Sequence, residues 1–499
     1  MLLSPDVCER ALDARDARFD GIFFVGITTT RIYCRPVCPA RVSYHDRRRF
    51  FDSAASAERA GYRPCLRCRP ELAPGRALID AVPRLARVAA HRIEAGALNG
   101  RGVAHLAGEL GVSDRHLRRV LERELGVSPL ELAQTHRLLL AKRLLADTRL
   151  PVTRIAFASG FQSLRRFNSV FRERYRLSPS ALRRGPGGGS PGHPGAEDRP
   201  AGAFSEDLVR LTLAYRAPLA WAPLIALLGR DAMPGVELVE GERYGRVIRL
   251  EGRSGVVFVE NAATSAHAGR THLVVDVSPS LLPVLMPLLA RLRQLFDLDA
   301  EPTAVDAQLE RGGLGRLVRR RPGLRIPGAM EGFEAVLRSL LCGRDDSPAA
   351  PAAHRVVEAL GEPFDTGHPA LRRLAPEAGR VAEAGTQRLI ALGVARRAAE
   401  TLTAVARALT EGRLHLEPGH DVATTHRTLL AIDGVTERLA TAIVRRALRW
   451  PDAFTASDRA LQRAAGAASA AELRARAEQW RPWRAYAAQH LLLADEKRR

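Results

Sequence analysis

The chain has 499 residues, of which 46% are hydrophobic, and a formal net charge of +21. At about 150 residues per domain, this length predicts about three domains with enough apolar residues for real cores. There is no run of about 18 apolar residues, which excludes a membrane span, and the N-terminus lacks the features of a signal peptide. We therefore expect a cytoplasmic protein with reduced thiols.

The positive charge is concentrated in the N-terminal part. Residues 1–184 contain 34 Lys and Arg against 18 Asp and Glu, whereas the remaining residues contain 42 against 37. Only Lys142 and Lys497 are lysines, and this preference for arginine fits a GC-rich coding bias. Such a bias does not explain an excess of cations over anions. The basic region therefore predicts an anionic polymer as partner, and nucleic acid is the better interpretation.

Four of the six cysteines lie in one 35-residue window, as C-x3-C, 26 residues, and then C-x2-C; they are Cys34, Cys38, Cys65 and Cys68. Two close pairs separated by a loop are typical of a tetrahedral zinc site, because each pair holds the ion from one side. Arginines flank both pairs, which suggests a nucleophilic thiolate that meets a phosphate-rich partner. The other two cysteines, Cys8 and Cys342, are interpreted as packing residues.

From residue 77 to residue 184 the apolar spacing is helical and contains two helix-turn-helix patterns, at 103–121 and 152–171. Each has a glycine at the turn and a polar helix start, as this motif requires. The second helix of each presents long polar side chains to a major groove. The candidate DNA contacts are Arg115, Arg118, Arg119, Ser163, Arg165 and Arg166.

An ordinary three-helix bundle with a solvated basic face is the alternative for either motif alone. Two such motifs about 50 residues apart make it weaker. With a long helix over residues 137–147 between the motifs, residues 80–184 closely resemble the DNA-binding domain of AraC-type regulators.

The sequence around the cysteines, residues 23–36 and 61–65, resembles the N-terminal zinc domain of Ada-type adaptive-response proteins over about residues 5–72. The resemblance implies that Cys34 accepts a methyl group from a methylated DNA phosphate, and that Thr30, Arg41 and Arg63 contact the DNA backbone. Arg31 stands where that family usually has glycine. The alternative is a structural zinc module without methyl transfer.

A stretch rich in glycine and proline, residues 185–196, follows the helical region and marks a flexible linker. Strand candidates then occur within residues 204–320, at 247–250, 256–260 and 273–277, and a mainly helical pattern covers residues 329–499. The predicted domains are 1–76, 77–184, 204–322 and 323–499, with a linker over 185–203.

Residues 429–442, 452–461 and 478–491 resemble, in order and spacing, AlkA-type DNA-3-methyladenine glycosylases over residues 204–499. The first segment matches a helix-hairpin-helix, and the resemblance implies that Asp458 is catalytic. This chain departs from the family pattern at the hairpin, at a pocket tryptophan and in the base-flipping segment, namely at Asp433, Thr436, Arg438, Leu492 and residues 343–348. These departures leave open a degenerate, inactive glycosylase domain.

Together these features predict a multidomain protein: a small α/β zinc domain, an all-α double helix-turn-helix domain, a small α/β domain and an all-α helix-hairpin-helix glycosylase domain. The predicted function combines methyl transfer to Cys34, methylation-switched transcription regulation and excision of alkylated purines. The expected partners are zinc, double-stranded DNA (alkylated DNA and promoter sites) and RNA polymerase, on the nucleoid. The alternative is a regulator and methyl acceptor whose glycosylase domain is inactive.

Overall fold

The computed structural model describes residues 3–40, 45–74, 84–184, 208–263, 271–342 and 349–495. The chain forms two compact units. The first comprises residues 1–215 with 250–253 and 274–290, and the second comprises residues 216–249, 254–273 and 291–499. The predicted linker, residues 185–203, lies outside the described residues, and the four domain boundaries remain a prediction.

The N-terminal segment forms a four-stranded sheet with two short helices. Its helices are α1 (Pro5–Asp13) and α2 (Ala54–Arg59), and its strands are β1 (Phe24–Ile27), β2 (Ile32–Cys34), β3 (Arg48–Phe51) and β4 (Arg63–Pro64). The strand order is β3-β1-β2-β4, in which β1 is antiparallel to both neighbours and β2 is parallel to β4. Since Tyr33 pairs with Pro64, the parallel register places Cys34 beside Cys65. The expected small α/β domain is confirmed.

Seven helices follow: α3 (Arg84–Glu94), α4 (Val103–Glu109), α5 (Asp114–Leu125), α6 (Pro129–Asp147), α7 (Val152–Ala158), α8 (Leu164–Tyr175) and α9 (Pro179–Arg184). The connecting helix α6 begins eight residues before its predicted start. Ser128 and Glu131 form a capping box there, and Pro129 takes the first helical position, where its missing N–H costs nothing. The all-α double helix-turn-helix architecture is confirmed.

Residues 208–295 combine strands and helices. The elements are β5 (Val209–Ala214), α10 (Trp221–Arg230), β6 (Glu237–Glu240), β7 (Arg243–Leu250), β8 (Arg253–Asn261), β9 (His272–Val277) and α11 (Leu285–Leu295). The strands form one sheet in the order β5-β9-β8-β7-β6. All three strand candidates lie within β7, β8 and β9, where alternating and continuous apolar residues are buried.

The remaining residues are mainly helical, as predicted. The helices are α12 (Pro302–Leu309), α13 (Gly315–Arg320), α14 (Gly332–Leu341), α15 (Ala349–Leu360), α16 (Ala378–Ala391), α17 (Arg396–Thr410), α18 (Val422–Leu430), α19 (Glu437–Ala447), α20 (Arg459–Ala465), α21 (Ala470–Ala477) and α22 (Arg484–Asp495). A short hairpin of β10 (Pro363–His368) and β11 (Leu371–Arg373) was not foreseen. Nowhere in the described residues is a helix both long and apolar enough to cross a membrane.

The second unit contains a buried network of ionised side chains between its sheet and α14. Arg338 donates to Glu237 at 2.6 Å and Arg246 donates to Glu334 at 2.7 Å, and Tyr244 also donates to Glu237. Burial alone would raise the pKa of Glu237, but the charges of Arg338 and Arg246 overcome it and lower the pKa to about 2. The network therefore stabilises the second unit through the ionised form of Glu237.

Replacing this carboxylate should destabilise the second unit. We expect Glu237→Gln to lower the free energy of unfolding by about 3 kcal/mol at pH 7, because two buried arginines then share one remaining carboxylate, that of Glu334. Since the folded pKa lies below the ordinary value of about 4.3, the wild-type contribution is present above that value and is lost as the pH falls toward 2.

Urea unfolding followed by tryptophan fluorescence measures this effect, because all four tryptophans lie in residues 216–499. Glu411→Gln is the matched control. It breaks a pair with Arg413 in which both side chains are more than half exposed, so its effect should stay below about 1 kcal/mol. Equal stability of Glu237→Gln and the wild type between pH 7 and pH 5 would contradict this interpretation.

Candidate metal centre and nucleic-acid interfaces

The four clustered cysteines meet at the edge of the N-terminal sheet. Their Sγ atoms all lie within 4.8 Å of one another, and all four side chains are buried. Cys34 ends β2, Cys65 follows β4, and the short spacing to Cys38 and Cys68 turns each second sulfur back toward the first. The parallel pairing of β2 and β4 is therefore what assembles two ligand pairs that are distant in the sequence.

The chemistry of this cluster fits zinc. Four sulfurs at these separations match a closed tetrahedral site for an ion that prefers thiolates. Hydrogen bonds among the four side chains shift their pKa values. The bond with Cys38 is the main cause of the raised pKa of Cys34, and the bond with Cys34 is the main cause of the lowered pKa of Cys65. A divalent cation replaces the protons of the cluster when it binds.

The four sulfurs differ in the hydrogen bonds that they accept from backbone N–H groups. The N–H of Arg35 donates to Sγ of Cys68 at 3.4 Å, and the N–H of Arg67 donates to Sγ of Cys65 at 3.3 Å. The pKa of Cys38 falls to about 7, mainly through the Cys34 side chain and with help from the Ala40 N–H.

Among the described residues, no backbone N–H donates to Sγ of Cys34. Its exposed fraction of 9% is close to the 8% of Cys65 and the 7% of Cys68, whereas Cys38 is fully buried. Hydrogen bonds withdraw electron density from a thiolate, so a sulfur that accepts none from the backbone keeps more of its nucleophilic character. This is the arrangement expected of a nucleophile.

Two of the flanking arginines act within the protein. Arg35 pairs with Asp20 and donates to the carbonyl of Cys68 at 3.2 Å, so it holds the second ligand loop. Arg69 pairs with Glu71 at 3.1 Å and with Asp147 at 2.7 Å. Among the described arginines near the cysteines, those that remain to face a phosphate are the exposed Arg31 and Arg67 and the half-buried Arg63.

The predicted backbone contacts of the zinc domain lie in the β1–β2 turn and in β4. Thr30 is exposed and Arg63 is half-buried, while Arg41 lies outside the described residues. Arg31 has a φ of +53°, a conformation that glycine adopts without strain, and its guanidinium lies 5.4 Å from the ring centre of Tyr62. The turn therefore keeps a left-handed residue although arginine stands in place of glycine.

The two predicted recognition helices are α5 and α8. In α5, Leu117 and Leu121 are buried, while Arg115 and Arg119 are exposed and Arg118 is partly exposed. The same division holds in α8, where Phe167 and Phe171 are buried and Arg165 and Arg166 are exposed. Ser163 caps α8 by accepting from the N–H of Arg166 at 3.3 Å, so its hydroxyl has a structural role as well.

Asp458 lies at the start of α20 and is only 9% exposed. Its carboxylate accepts from the N–H groups of Ala460 at 2.9 Å and Leu461 at 3.2 Å. These bonds make it the cap of the helix and hold its side chain in one orientation. Phe454 and Trp480, from the segments that flank it in the sequence pattern, make an edge contact with ring centres 6.2 Å apart.

The hairpin between α18 and α19 keeps its shape despite its unusual sequence. Gly434 has a φ of +83°, and a Cβ there would lie 2.0 Å from Oγ1 of Thr401, so only glycine fits. Thr436, at the position of the missing second glycine, caps α19 through the N–H of Leu439 at 3.2 Å. Asp433 and Glu437 are exposed beside the hairpin, where their charge would repel a phosphate.

The remaining departures from the glycosylase family pattern are Arg438, Leu492 and residues 343–348. Arg438 is exposed on α19, whereas Leu492 is buried in an apolar cluster with Trp480 and Trp483. The base-flipping segment, residues 343–348, lies outside the described residues.

Sequence reasoning missed one contact beside the cysteine cluster, between the N-terminal sheet domain and α6. Lys142 is buried and donates to the carbonyl of the ligand Cys65 at 3.3 Å. Its only sequence signal is that it is one of two lysines in a chain rich in arginine.

Comparisons with known proteins match each part of the chain. The family "Metal binding domain of Ada" matches residues 7–71, "Helix-turn-helix domain" matches residues 106–185, and "AlkA N-terminal domain" matches residues 210–331. The similar proteins include some named for gene regulation and some named for DNA repair. The E. coli K12 "Bifunctional transcriptional activator/DNA repair enzyme Ada" is 31% identical over 26% of this chain and 34% of that protein. The E. coli K12 "DNA-3-methyladenine glycosylase 2" is 32% identical over 56% of this chain and 95% of that protein.

One of the similar proteins matches nearly the whole length of the chain. The "Probable bifunctional transcriptional activator/DNA repair enzyme AlkA" of Mycobacterium tuberculosis is 37% identical over 97% of this chain and 95% of that protein. The order of the three matches along the chain and this full-length similarity show that the protein belongs to the Ada/AlkA fusion family, in which an Ada-type zinc domain, an AraC-type helix-turn-helix domain and an AlkA-type glycosylase domain share one chain.

Proposed function

We propose that the protein detects and repairs alkylated DNA: it transfers methyl groups from DNA methylphosphotriesters to Cys34, regulates transcription in response, and excises alkylated purines. The observation that carries the proposal is the buried four-sulfur cluster, in which Sγ of Cys34 accepts from no backbone N–H among the described residues. Double-stranded DNA is the partner of all three activities.

Methyl transfer is a direct displacement at carbon. When bound, zinc keeps the four sulfurs deprotonated at neutral pH and fixes their positions. An electron pair of the Cys34 sulfur forms the new S–CH3 bond, while the C–O bond breaks and its electrons leave on the phosphate oxygen. The products are a phosphodiester and a thioether, so no proton moves and the cysteine is consumed.

The same step supports a switch. Conversion of a thiolate to a neutral thioether removes one negative charge from a surface that faces phosphates, which strengthens DNA binding. The recognition helices α5 and α8 belong to the same compact unit as the cysteines, so tighter binding by one favours binding by the other. Recruitment of RNA polymerase at promoter sites on the nucleoid completes this part of the proposal.

Excision rests on Asp458. Alkylation of a purine at N3 or N7 weakens its glycosidic bond, and flipping brings the nucleotide into a pocket. A carboxylate held in place by two backbone N–H groups stabilises the positive charge that develops on the sugar. The acidic hairpin residues Asp433 and Glu437 and the loss of aromatic residues favour the second candidate, a regulator whose glycosylase domain is inactive.

Mass spectrometry after incubation with methylphosphotriester DNA tests the acceptor. We expect the wild type to gain one methyl group on the peptide that contains Cys34 and Cys34→Ala to gain none. Cys8→Ala is the control. Burial is the main cause that raises the pKa of Cys8 to about 11. Its thiol is therefore no methyl acceptor, and the variant should react like the wild type. An unmodified wild-type protein that retains its zinc would support the structural zinc module instead.

Binding to DNA should depend on the outward face of α5. We expect Arg115→Ala to weaken binding to a duplex and to reduce the slope of log affinity against log salt by about one, as for the loss of one phosphate contact. Arg123→Ala is the matched control, because Arg123 lies on the same helix, is 70% exposed and pairs with Glu124. Equal losses in the two variants would argue against α5 as a recognition helix.

Release of 3-methyladenine from methylated DNA decides between the two candidate functions. We expect the wild type to release the base and Asp458→Asn to be at least about 100-fold slower, because a neutral amide does not stabilise a cationic sugar. Asparagine caps a helix as well as aspartate does, so the melting temperature should change little. No release above the background of DNA alone by either protein would favour the inactive domain, and equal release above it by both would contradict the role of Asp458.

A further inference from the structure

The N-terminal sheet domain lies against α6 through buried polar side chains. Thr135 and Lys142 are seven residues apart on this helix, which is about two turns, so both point to the same side. Their side chains are 2% and 3% exposed. A buried hydroxyl and a buried ammonium both need partners, and both find them in the zinc domain.

Lys142 holds the second ligand pair. Its Nζ donates to the carbonyl oxygen of Cys65 at 3.3 Å and to the carboxylate of Glu71 at 2.5 Å. Glu71 also accepts from Nε of Arg69 at 3.1 Å, and Arg69 pairs with Asp147 at the end of α6 at 2.7 Å. The loop that carries Cys65 and Cys68 is therefore fastened at both ends to a helix of the DNA-reading domain.

Thr135 holds the strand of the first pair in a similar way. Its hydroxyl donates to Glu58 at 2.9 Å, and the hydroxyl of Tyr33 donates to the other oxygen of Glu58 at 3.1 Å. Tyr33 directly precedes Cys34 in β2. One carboxylate thus links the acceptor strand to the same face of α6.

The choice of lysine at position 142 is informative. Apart from Lys497, every other cationic side chain of the Lys and Arg type in this chain is arginine. The position offers one carbonyl and one carboxylate around a single nitrogen, with almost no exposed surface. A compact ammonium suits this geometry, whereas a planar guanidinium needs more room and more acceptors.

We propose that Lys142 is a positioning residue of the zinc site and couples that site to the two DNA-reading motifs. Because α6 connects those motifs, a change in the ligand loop reaches both of them through the Cys65 carbonyl. By linkage, zinc then changes the affinity for DNA by the same factor by which DNA changes the affinity for zinc. The inference deepens the proposed regulation of this site, but it does not depend on methyl transfer.

Zinc affinity of the full-length protein, measured by competition with a chromophoric chelator, is the first readout. We expect Lys142→Met to bind zinc about 10-fold more weakly, as for the loss of an outer-shell partner of a ligand. Arg59→Met is the matched control. It removes a half-exposed contact between the same two domains, from Arg59 to the carbonyl of Gly126, and should bind zinc like the wild type.

The coupling factor is the second readout, because a purely structural role would leave it unchanged. The chelator competition is repeated with an unmethylated, mixed-sequence duplex at low salt, where non-specific binding is strong. We expect the duplex to change the zinc affinity by a factor of at least about 5 in the wild type and in Arg59→Met. In Lys142→Met the factor should fall to about one.

Circular dichroism checks that each variant is folded. Should Lys142→Met not fold, Thr135→Val takes its place, since it keeps the side-chain volume and removes only the hydroxyl that binds Glu58; we expect it to lose part of the coupling. A wild-type factor of one, or wild-type zinc affinity and coupling in Lys142→Met, would overturn the proposal. The duplex carries no methyl group, so failure of methyl transfer to Cys34 leaves this result standing.

Discussion

The parallel pairing of β2 with β4 is the contact on which the zinc site depends. Tyr33 lies opposite Pro64 in this register, so Cys34 and Cys65 follow side by side although 30 residues separate them in the sequence. Each brings a second sulfur a few residues later. The sheet thus converts two local cysteine motifs into one four-sulfur cluster, and the unequal backbone hydrogen bonds within it distinguish Cys34 from the other three.

The charged side chains of the described residues fall into a buried group and an exposed group. Several buried cations among the described residues are paired with carboxylates and shape the fold, as Arg35 is with Asp20 and Arg338 with Glu237. Exposed cations on α5 and α8 form the surface that suits DNA. In the second unit the acidic Asp433 and Glu437 are exposed on the hairpin between α18 and α19, where their charge would repel a phosphate.

Much of this arrangement follows from local sequence. Cysteine spacing, the glycine turns and the apolar stripes of α5 and α8 depend on neighbouring residues, so the zinc site and the helix-turn-helix fold were predictable. The early start of α6 was also encoded, in Ser128 and Glu131, but was overlooked. The partners of Lys142, Arg35 and Glu58 lie 15 to 77 residues away, and no periodicity reveals such contacts.

The link between repair and transcription is tested most directly by the affinity of the zinc-loaded protein for one duplex before and after reaction with methylphosphotriester DNA. We expect tighter binding by the methylated protein, because one negative charge beside the DNA has been neutralised, with no gain in Cys34→Ala treated in the same way. Unchanged affinity, at a full methyl adduct on Cys34 and unchanged zinc content, would contradict the proposed switch.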